Sequence, residues 1–228
     1  MSYIYIYIYQ MTRLWSLKTP PPGKMTEDGT LPWYGVYTSL MELELSRMIP
    51  TQDGPLVFAL ERDAISLSPA PLSAHILLLP NKNEVLGHYN AILVHRPSKQ
   101  LVWFEPLGSD SVRPEVDAML RTLAEREHLA LIDPKSFEPK SLQRDEPVCG
   151  AACLMFLEAT LRKLRRRSLR KNAASISRQI VSQMNEKKIL RFAAAKTEKA
   201  VKATGFQVDE PGYWKGLKKL RRTKKRRI

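Results

Sequence analysis

The chain has few cysteines and no long apolar segment. Only 2 of its 228 residues are cysteine; this is too few for a disulfide framework, so we expect a reducing compartment in which a free thiol persists. No run reaches the ~18 consecutive apolar residues that indicate a membrane-spanning helix. The first residues also lack the basic region and the cleavage site of a secretory signal. The sequence therefore predicts an intracellular protein without a membrane anchor.

Motifs for metal and cofactor binding are also missing. The cysteines and the 4 histidines form neither a Cys-x-x-Cys nor a His-x-x-x-His motif, which are common spacings of metal ligands. The 10 glycines are dispersed and form no phosphate-binding loop. We therefore expect no metal and no organic cofactor.

Acidic residues are scarce in the C-terminal third. Residues 161–228 contain 23 Lys and Arg against 4 Asp and Glu, a net charge of +19, whereas residues 1–160 contain 14 against 19, a net charge of −5. This asymmetry indicates a polyanionic partner, most often nucleic acid. The alternative is a solvated basic helical face combined with a nuclear-import signal.

The length and composition favour one globular domain with extensions at both ends. The chain is 43% hydrophobic, which is enough for a single sizeable core. We predict an N-terminal arm over 1–24, a single domain over 25–205 and a basic tail over 206–228. The Tyr-Ile alternation at 2–9 fits a strand, although such a sequence is also compatible with a disordered, aggregation-prone arm.

The hydrophobic pattern predicts an α+β fold. Helices are expected at 39–48 and 109–127, with Asp110 or Ser111 as the cap of the second. Residues 151–204 contain neither Gly nor Pro, which predicts two or three further helices. Short apolar runs predict strands; they lie at 56–60, 75–79, 89–94, 101–104 and 129–132.

A predicted hairpin brings a histidine close to a carboxylate. The segment Arg96–Lys99 separates two apolar runs and indicates a turn. A turn centred on Pro97 and Ser98 pairs residues whose numbers add up to about 195. Since His88 and Glu105 add up to 193, we expect them within about one residue pair of each other, at the open end of the hairpin.

Cys149 is the candidate nucleophile. It follows Pro147-Val148 and directly precedes the predicted long helix, and the positive end of a helix dipole favours a thiolate. Gly150 allows a substrate backbone to approach closely. The alternative for Cys149 is a buried structural cysteine. Cys153 lies one helical turn further on, among residues that are apolar on every side, so we expect it in the core.

His88 is the favoured general base among the histidines. His95 lies an odd number of positions away on the same predicted strand and so faces the other side of the sheet. His128 ends an exposed helix, and His75 has no carboxylate placed opposite it by the hairpin. Glu105 would accept the second ring N–H of His88 and select its tautomer. The ordinary alternatives are a surface histidine and a strand-end carboxylate.

Gln143 is the candidate oxyanion donor. It precedes the cysteine by six residues, and its side-chain amide would act together with the backbone N–H of Cys149. His88, Glu105, Gln143 and Cys149 thus supply a base, an orienting acid, an amide donor and a thiol, in that order.

This order resembles the clan of cysteine proteases that includes adenovirus proteinase and the SUMO-specific proteases. Two stretches look closer to the adenovirus-type viral enzymes: Phe-Glu-Pro-x-Gly at 104–108 and Cys-Gly-x-x-Cys-x-Met-Phe-Leu-x-Ala at 149–159. The segment Pro-Trp-Tyr-Gly-Val-Tyr at 32–37 is similar to an early loop of that family. The resemblance covers roughly residues 30–160.

The resemblance implies a papain-like arrangement, in which a central helix carries the thiol and packs on a mixed or antiparallel sheet bearing His88 and Glu105. It further implies a monomeric endopeptidase that matures virion proteins in the host nucleus or virion. Its protein substrates would carry Gly near the scissile bond. Activation by DNA and by a basic peptide is also implied, and the basic C-terminal third suits both.

The sequence departs from the adenovirus pattern at several points. Tyr89 stands where the family has Trp, and the six-residue spacing from Gln143 to Cys149 is typical of SUMO proteases. A covalently attached activator would need a further cysteine, which the chain lacks. Two alternatives therefore stay open: a protease for SUMO or ubiquitin-like proteins, and a non-catalytic basic DNA-binding virion protein.

Overall fold

A computed structural model describes most of the predicted domain. The described residues are 44–49, 56–59, 65–79, 88–137, 142, 148–166 and 172–204. The predicted arm (1–24), the predicted tail (206–228), the segment 32–37 and Gln143 lie outside the described residues, and the predictions that concern them stay predictions.

Within the described ranges, the sheet has five strands in the sequential order β1-β2-β3-β4-β5. Strands β2, β3 and β4 form an antiparallel meander, whereas β1 runs parallel to β2 and β5 runs parallel to β4. The bounds are β1 Val57–Ala59, β2 Leu72–Leu79, β3 His88–His95, β4 Gln100–Phe104 and β5 Ala130–Ile132. Each lies at a predicted strand; β2 begins earlier than predicted because Leu72–Ala74 pair with the end of β3.

The first long helix begins later than predicted. Helix α1 spans Pro114–Arg126, whereas Ser109–Ser111 form a separate 3-10 turn. Arg113 occupies the cap position without a side-chain hydrogen bond, so the predicted caps, Asp110 and Ser111, were wrong. Pro114 explains the difference, because proline favours the first turn of a helix and disrupts the interior.

The described part of the segment without Gly and Pro (up to 166 and from 172) forms three helices, in agreement with the prediction of two or three. They are α2 Cys149–Arg166, α3 Ala173–Val181 and α4 Glu186–Thr204. The side chain of Asn172 caps α3 by accepting a hydrogen bond from the Ser175 N–H at 3.2 Å. None of the described helices is both long and apolar enough to span a bilayer.

Helices cover both faces of the sheet. On one face, α2 packs against β3, and Phe156 of α2 stacks on Phe104 of β4 with ring centroids 4.4 Å apart. On the other face, Val116 and Leu120 of α1 pack in a second cluster with Trp103. The prediction of an α+β fold is confirmed, with the helix that carries Cys149 packed on a mixed sheet.

An ion-pair cluster attaches α4 to the rest of the domain. Lys196 lies 2.6 Å from Glu44, in the helical segment 44–48, and 2.6 Å from Glu158 of α2. Glu44 is buried and is also paired with Arg47. Burial alone would lower the pKa of Lys196, but its hydrogen bonds to Glu158 and Glu44 outweigh that effect and raise it.

Candidate active site

The hairpin has the register that its turn residues predict. Ala91 pairs with Phe104, and their numbers add up to 195. The turn ends at Lys99, which has a left-handed backbone with φ 51°. Continuing the register by one pair places Glu105, the residue directly after β4, opposite Asn90. Glu105 is then diagonal to His88, which lies two residues before Asn90 on the same face of β3.

His88 and Glu105 form a close hydrogen bond. The His88 Nε2 atom lies 2.6 Å from Glu105 Oε1, and the Glu105 residue is only 1% exposed. An ionised carboxylate can only accept, so Nε2 carries the hydrogen. The second ring nitrogen, Nδ1, is therefore the one that is left to face another group.

The turn after β4 supplies a further donor to Glu105. The backbone N–H of Leu107 donates to Glu105 Oε1 at 2.8 Å, and the N–H of Gly108 donates to the Glu105 carbonyl at 3.1 Å. Gly108 has φ 93°, a conformation that only glycine adopts readily. The Pro-Leu-Gly turn that follows Glu105 therefore folds back onto the Glu105 carboxylate.

Cys149 is the first residue of α2 and lies near His88. It forms no disulfide and is 8% exposed, and it is close enough to His88 to raise the pKa of the imidazole. The α2 helix packs on the face of the sheet opposite to the face that Asn90 and Trp103 share, and His88 is the first residue of β3, at the end of the sheet. The positive end of the α2 dipole also lies at the thiol.

The environment of His88 favours the imidazolium. Burial alone would lower its pKa, but the hydrogen bonds to Cys149 and Glu105 and the charges of both groups more than offset burial. The result is a His88 pKa of about 9. At neutral pH the ring is therefore positively charged between two acidic groups.

Cys153 lies deeper in the core than Cys149. It is fully buried, and its thiol donates to the Tyr89 carbonyl at 3.3 Å. Burial, and then the neighbouring Cys149 and Glu105, raise the pKa of the Cys153 thiol well above its ordinary value. The prediction that Cys153 is a core residue is confirmed.

The other histidines lie away from this pair. His75 and His95 are buried within the sheet, and His128 follows α1 with φ 54°. Burial lowers the pKa of His95, whose Nδ1 lies 2.6 Å from Ser98 Oγ. No group of three or more His, Cys, Asp or Glu side chains in the described ranges has the arrangement of a metal site.

Gln143 lies outside the described residues, and its role stays a prediction. The preceding residue, Leu142, is described: its N–H donates to the Pro106 carbonyl at 3.0 Å. Leu142, the residue directly before Gln143, therefore lies at the turn that follows Glu105.

Asn90 is a site residue that the sequence reasoning missed. Its Nδ2 donates to Glu105 Oε2 at 2.8 Å, and its Oδ1 accepts from Trp103 Nε1 at 2.6 Å. A signal was available: Asn90 is the only strongly polar residue in the apolar run that follows His88, at the spacing that puts both on one face of a strand.

Comparison with protein-family models and with curated proteins gives no match. Among solved structures, the chain is similar to SUMO protease Ulp1 with its catalytic cysteine oxidized to a sulfinic acid, with a TM-score of 0.36 and 11% identity over 64% of this chain and 77% of that chain. It is also similar to Ulp1 with that cysteine oxidized to a sulfenic acid, with a TM-score of 0.38 and 12% identity over 84% of this chain and 95% of that chain. Because both TM-scores are below 0.5, the chemistry of this chain has to be argued from its own side chains.

Proposed function

We propose that this protein is a cysteine protease. The observation that carries the proposal is the His88 ring, which is hydrogen-bonded to the Glu105 carboxylate and has its pKa raised by the nearby thiol of Cys149, the first residue of a helix. A thiol, a base and a group that orients the base are the parts that nucleophilic acyl transfer requires.

The arrangement supports a two-step hydrolysis. The Cys149 thiolate attacks the substrate carbonyl carbon, and the oxyanion accepts from the Cys149 backbone N–H and from the predicted donor Gln143. The C–N bond breaks as the His88 imidazolium gives its proton to the leaving amine. Water then attacks the thioester, His88 takes one water proton, and the acid product leaves with the thiolate restored. Throughout, Glu105 accepts from Nε2 and keeps Nδ1 directed at sulfur and substrate.

We propose further that the enzyme is an endopeptidase of the adenovirus-proteinase type that processes virion proteins at Gly-containing sites. The motifs at 104–108 and 149–159 support this assignment. The six-residue interval between Gln143 and Cys149 favours the alternative, a protease for SUMO or ubiquitin-like proteins. The hydrogen-bonded imidazole and carboxylate beside the Cys149 thiol argue against a non-catalytic DNA-binding virion protein, because DNA binding does not require them.

Nucleic acid is the partner that we propose for the basic C-terminal third. Exposed basic side chains lie on both long C-terminal helices, at Arg162 and Arg165 of α2 and at Lys187, Lys188 and Arg191 of α4. Phosphate contacts by such residues release counterions, so the binding and any stimulation of activity should weaken steeply with salt. A location in the host nucleus or virion is part of the same proposal, and no cofactor is proposed.

Alkylation tests the proposed chemistry without a known substrate. At pH 6, where an ordinary thiol is almost fully protonated, we expect iodoacetamide to modify Cys149 about tenfold or more faster than free cysteine. Intact-mass analysis and peptide mapping should find one adduct, with Cys153 unmodified, and His88→Ala should remove the rate advantage. Equal labelling of both cysteines, or an unchanged rate in His88→Ala, would contradict the proposal.

A substrate panel tests the finer assignment. Gly-containing peptides should be cleaved with and without DNA, and DNA stimulation should disappear as the salt concentration rises. Fusions that end in the C-terminal residues of SUMO or ubiquitin form the second arm of the panel. Cleavage of those fusions alone, with no effect of DNA, would exclude the virion-processing assignment and support the alternative.

A further inference from the structure

We infer that Asn90 is a positioning residue, whose amide holds the Glu105 carboxylate in the orientation that His88 requires. This inference rests on the proposed cysteine-protease function and adds to it a residue outside the predicted quartet. Asn90 touches neither the thiol nor a substrate in the proposed reaction, and it acts through Glu105.

The orientation of the Asn90 amide follows from chemistry. The Trp103 indole nitrogen can only donate, so the Asn90 atom that it meets at 2.6 Å is the oxygen Oδ1. The other end of the same amide, Nδ2, therefore faces Glu105 Oε2 at 2.8 Å. A carboxylate can only accept, which agrees with that assignment. Trp103 thus determines which end of Asn90 meets the carboxylate.

The Glu105 carboxylate is held by donors on both oxygens. Among the described contacts, Oε1 accepts hydrogen bonds from His88 Nε2 and the Leu107 N–H, whereas Oε2 accepts one from Asn90 Nδ2. The terminal torsion of a glutamate has no narrow rotamer well, so hydrogen bonds, rather than the torsion itself, must hold the carboxylate plane. Loss of the Asn90 donor would leave Oε2 buried without a donor and free the plane to rotate.

The register of the sheet brings Asn90 and Trp103 to the Glu105 carboxylate. Residues 88 and 90 lie on one face of β3. Residue 103 of β4 and residue 105, directly after β4, lie on the same face of the sheet, so the four side chains are neighbours. Asn90 and Trp103 are fully buried, and a low dielectric strengthens each hydrogen bond in the network. A pair of adjacent strands therefore supplies the base, its orienting acid and the two groups behind that acid.

A purely structural role for Asn90 makes a different prediction. A buried amide that only satisfies Trp103 would affect stability when removed, but it would not change the titration of His88. Burial lowers the pKa of His88, whereas Glu105 and Cys149 raise it. An Asn90 substitution that only let water reach His88 would therefore raise its pKa further, whereas a displaced Glu105 carboxylate would lower it.

The test is the NMR titration of the His88 ring in Asn90→Ala, combined with the pH dependence of Cys149 alkylation. We expect the His88 titration to move by about 1 pH unit or more toward its ordinary value, since a correctly placed carboxylate shifts a neighbouring group by 1–3 units. We also expect the alkylation rate at pH 6 to fall by up to about tenfold, the factor that corresponds to one pH unit, and by less than in His88→Ala, because Asn90 acts on the thiol only through Glu105 and His88. In a Glu105→Gln background, Asn90→Ala should produce no further shift.

The matched control is Val94→Ala. Val94 lies on β3 on the same face as Asn90 and is fully buried, so its truncation destabilises the same face of the sheet without touching Glu105. We expect a lower free energy of unfolding and an unchanged His88 titration. Trp103→Phe is the second variant, for use if Asn90→Ala does not fold: it keeps the amide but removes the donor that orients it, and should produce a smaller shift in the same direction.

The outcomes separate the two proposals. A folded Asn90→Ala protein with the wild-type His88 titration and alkylation profile would overturn the positioning role, and fast alkylation of wild-type Cys149 would still support the protease. Conversely, slow alkylation of wild-type Cys149 would contradict the protease, while the NMR titration would still report whether Asn90 acts on Glu105. An equal titration shift in Val94→Ala would also overturn the positioning role.

Discussion

Replacing Cys149 by alanine should abolish peptide hydrolysis, with a loss on the order of 10⁴-fold or more in kcat. The proposed mechanism has no other nucleophile, because Cys153 is fully buried and its thiol is hydrogen-bonded to the Tyr89 carbonyl. The measurement is the initial rate on whichever substrate of the panel is cleaved, with the fold checked by circular dichroism. His88→Ala should cause a loss of similar size, and the double variant should be no worse than either single one, because the two groups act as a unit.

Cys153→Ala is the matched control for this prediction. It removes the same chemical group one helical turn further along α2, at a position buried in the core. We expect some loss of stability, about 1 kcal/mol for the missing hydrogen bond, and activity close to that of the wild type. Retained hydrolysis in Cys149→Ala, or its loss in Cys153→Ala, would show that the nucleophile is assigned to the wrong residue.

Glu105→Gln should produce the second largest effect, a loss of about 10²–10⁴-fold in kcat, as expected when the residue that orients a catalytic histidine loses its charge. The substitution keeps the shape but replaces one acceptor oxygen by a donor. Because His88, Leu107 and Asn90 all donate to the carboxylate, the amide of glutamine must direct its donor at another donor. The backbone fixes the Leu107 N–H and Trp103 fixes the Asn90 amide, so the contact with His88 is the one that can break or change its tautomer.

The pH dependence of this variant has a definite sign. In the wild type, the His88 pKa of about 9 keeps the leaving-group acid protonated up to that pH, so the basic limb of kcat/KM should lie near pH 9. Loss of the Glu105 charge should move that limb down by about 1–3 pH units. The raised pKa also means that the imidazolium stabilises the fold below about pH 6.5, the ordinary value, and that this stabilisation is lost as the pH rises toward 9.

Full pH profiles of kcat/KM and of the free energy of unfolding check both effects. Glu105→Gln should flatten the decline in stability between about pH 6.5 and pH 9. The reason is that the His88 pKa of the folded protein then lies closer to that of the unfolded chain. Asp117→Asn is the control: it removes a carboxylate that pairs with Arg121 on α1, away from the site, and should leave the basic limb unchanged. A Glu105→Gln enzyme whose basic limb stays near pH 9 would contradict the role given to Glu105.

Local patterns in the sequence were sufficient for much of the sheet and for one half of the site. The turn Arg96–Lys99 determines the hairpin register, and strand alternation then places His88 and Glu105 together, because only 17 residues and one tight turn separate them. A helical segment that is apolar on every side identified Cys153 as a core residue. The predicted start of α1 was too early, because Asp110 and Ser111 are typical helix caps, whereas Pro114 occupies the first turn of the helix.

The other half of the site depends on tertiary packing. Cys149 reaches His88 from a position 61 residues later because α2 packs on β3 through a shared apolar cluster, and no local pattern specifies how such a helix is placed. The roles of Asn90 and Trp103 depend on the same kind of information, since a hydrogen bond between side chains on different strands is set by the three-dimensional register. The sequence by itself was enough to predict the residues that are proposed to carry the chemistry and to place His88 beside Glu105 in the hairpin. Only the packing of the helix on the sheet decided that the thiol meets the imidazole, because contacts between distant segments form through burial of apolar surface, which has no fixed spacing along the chain.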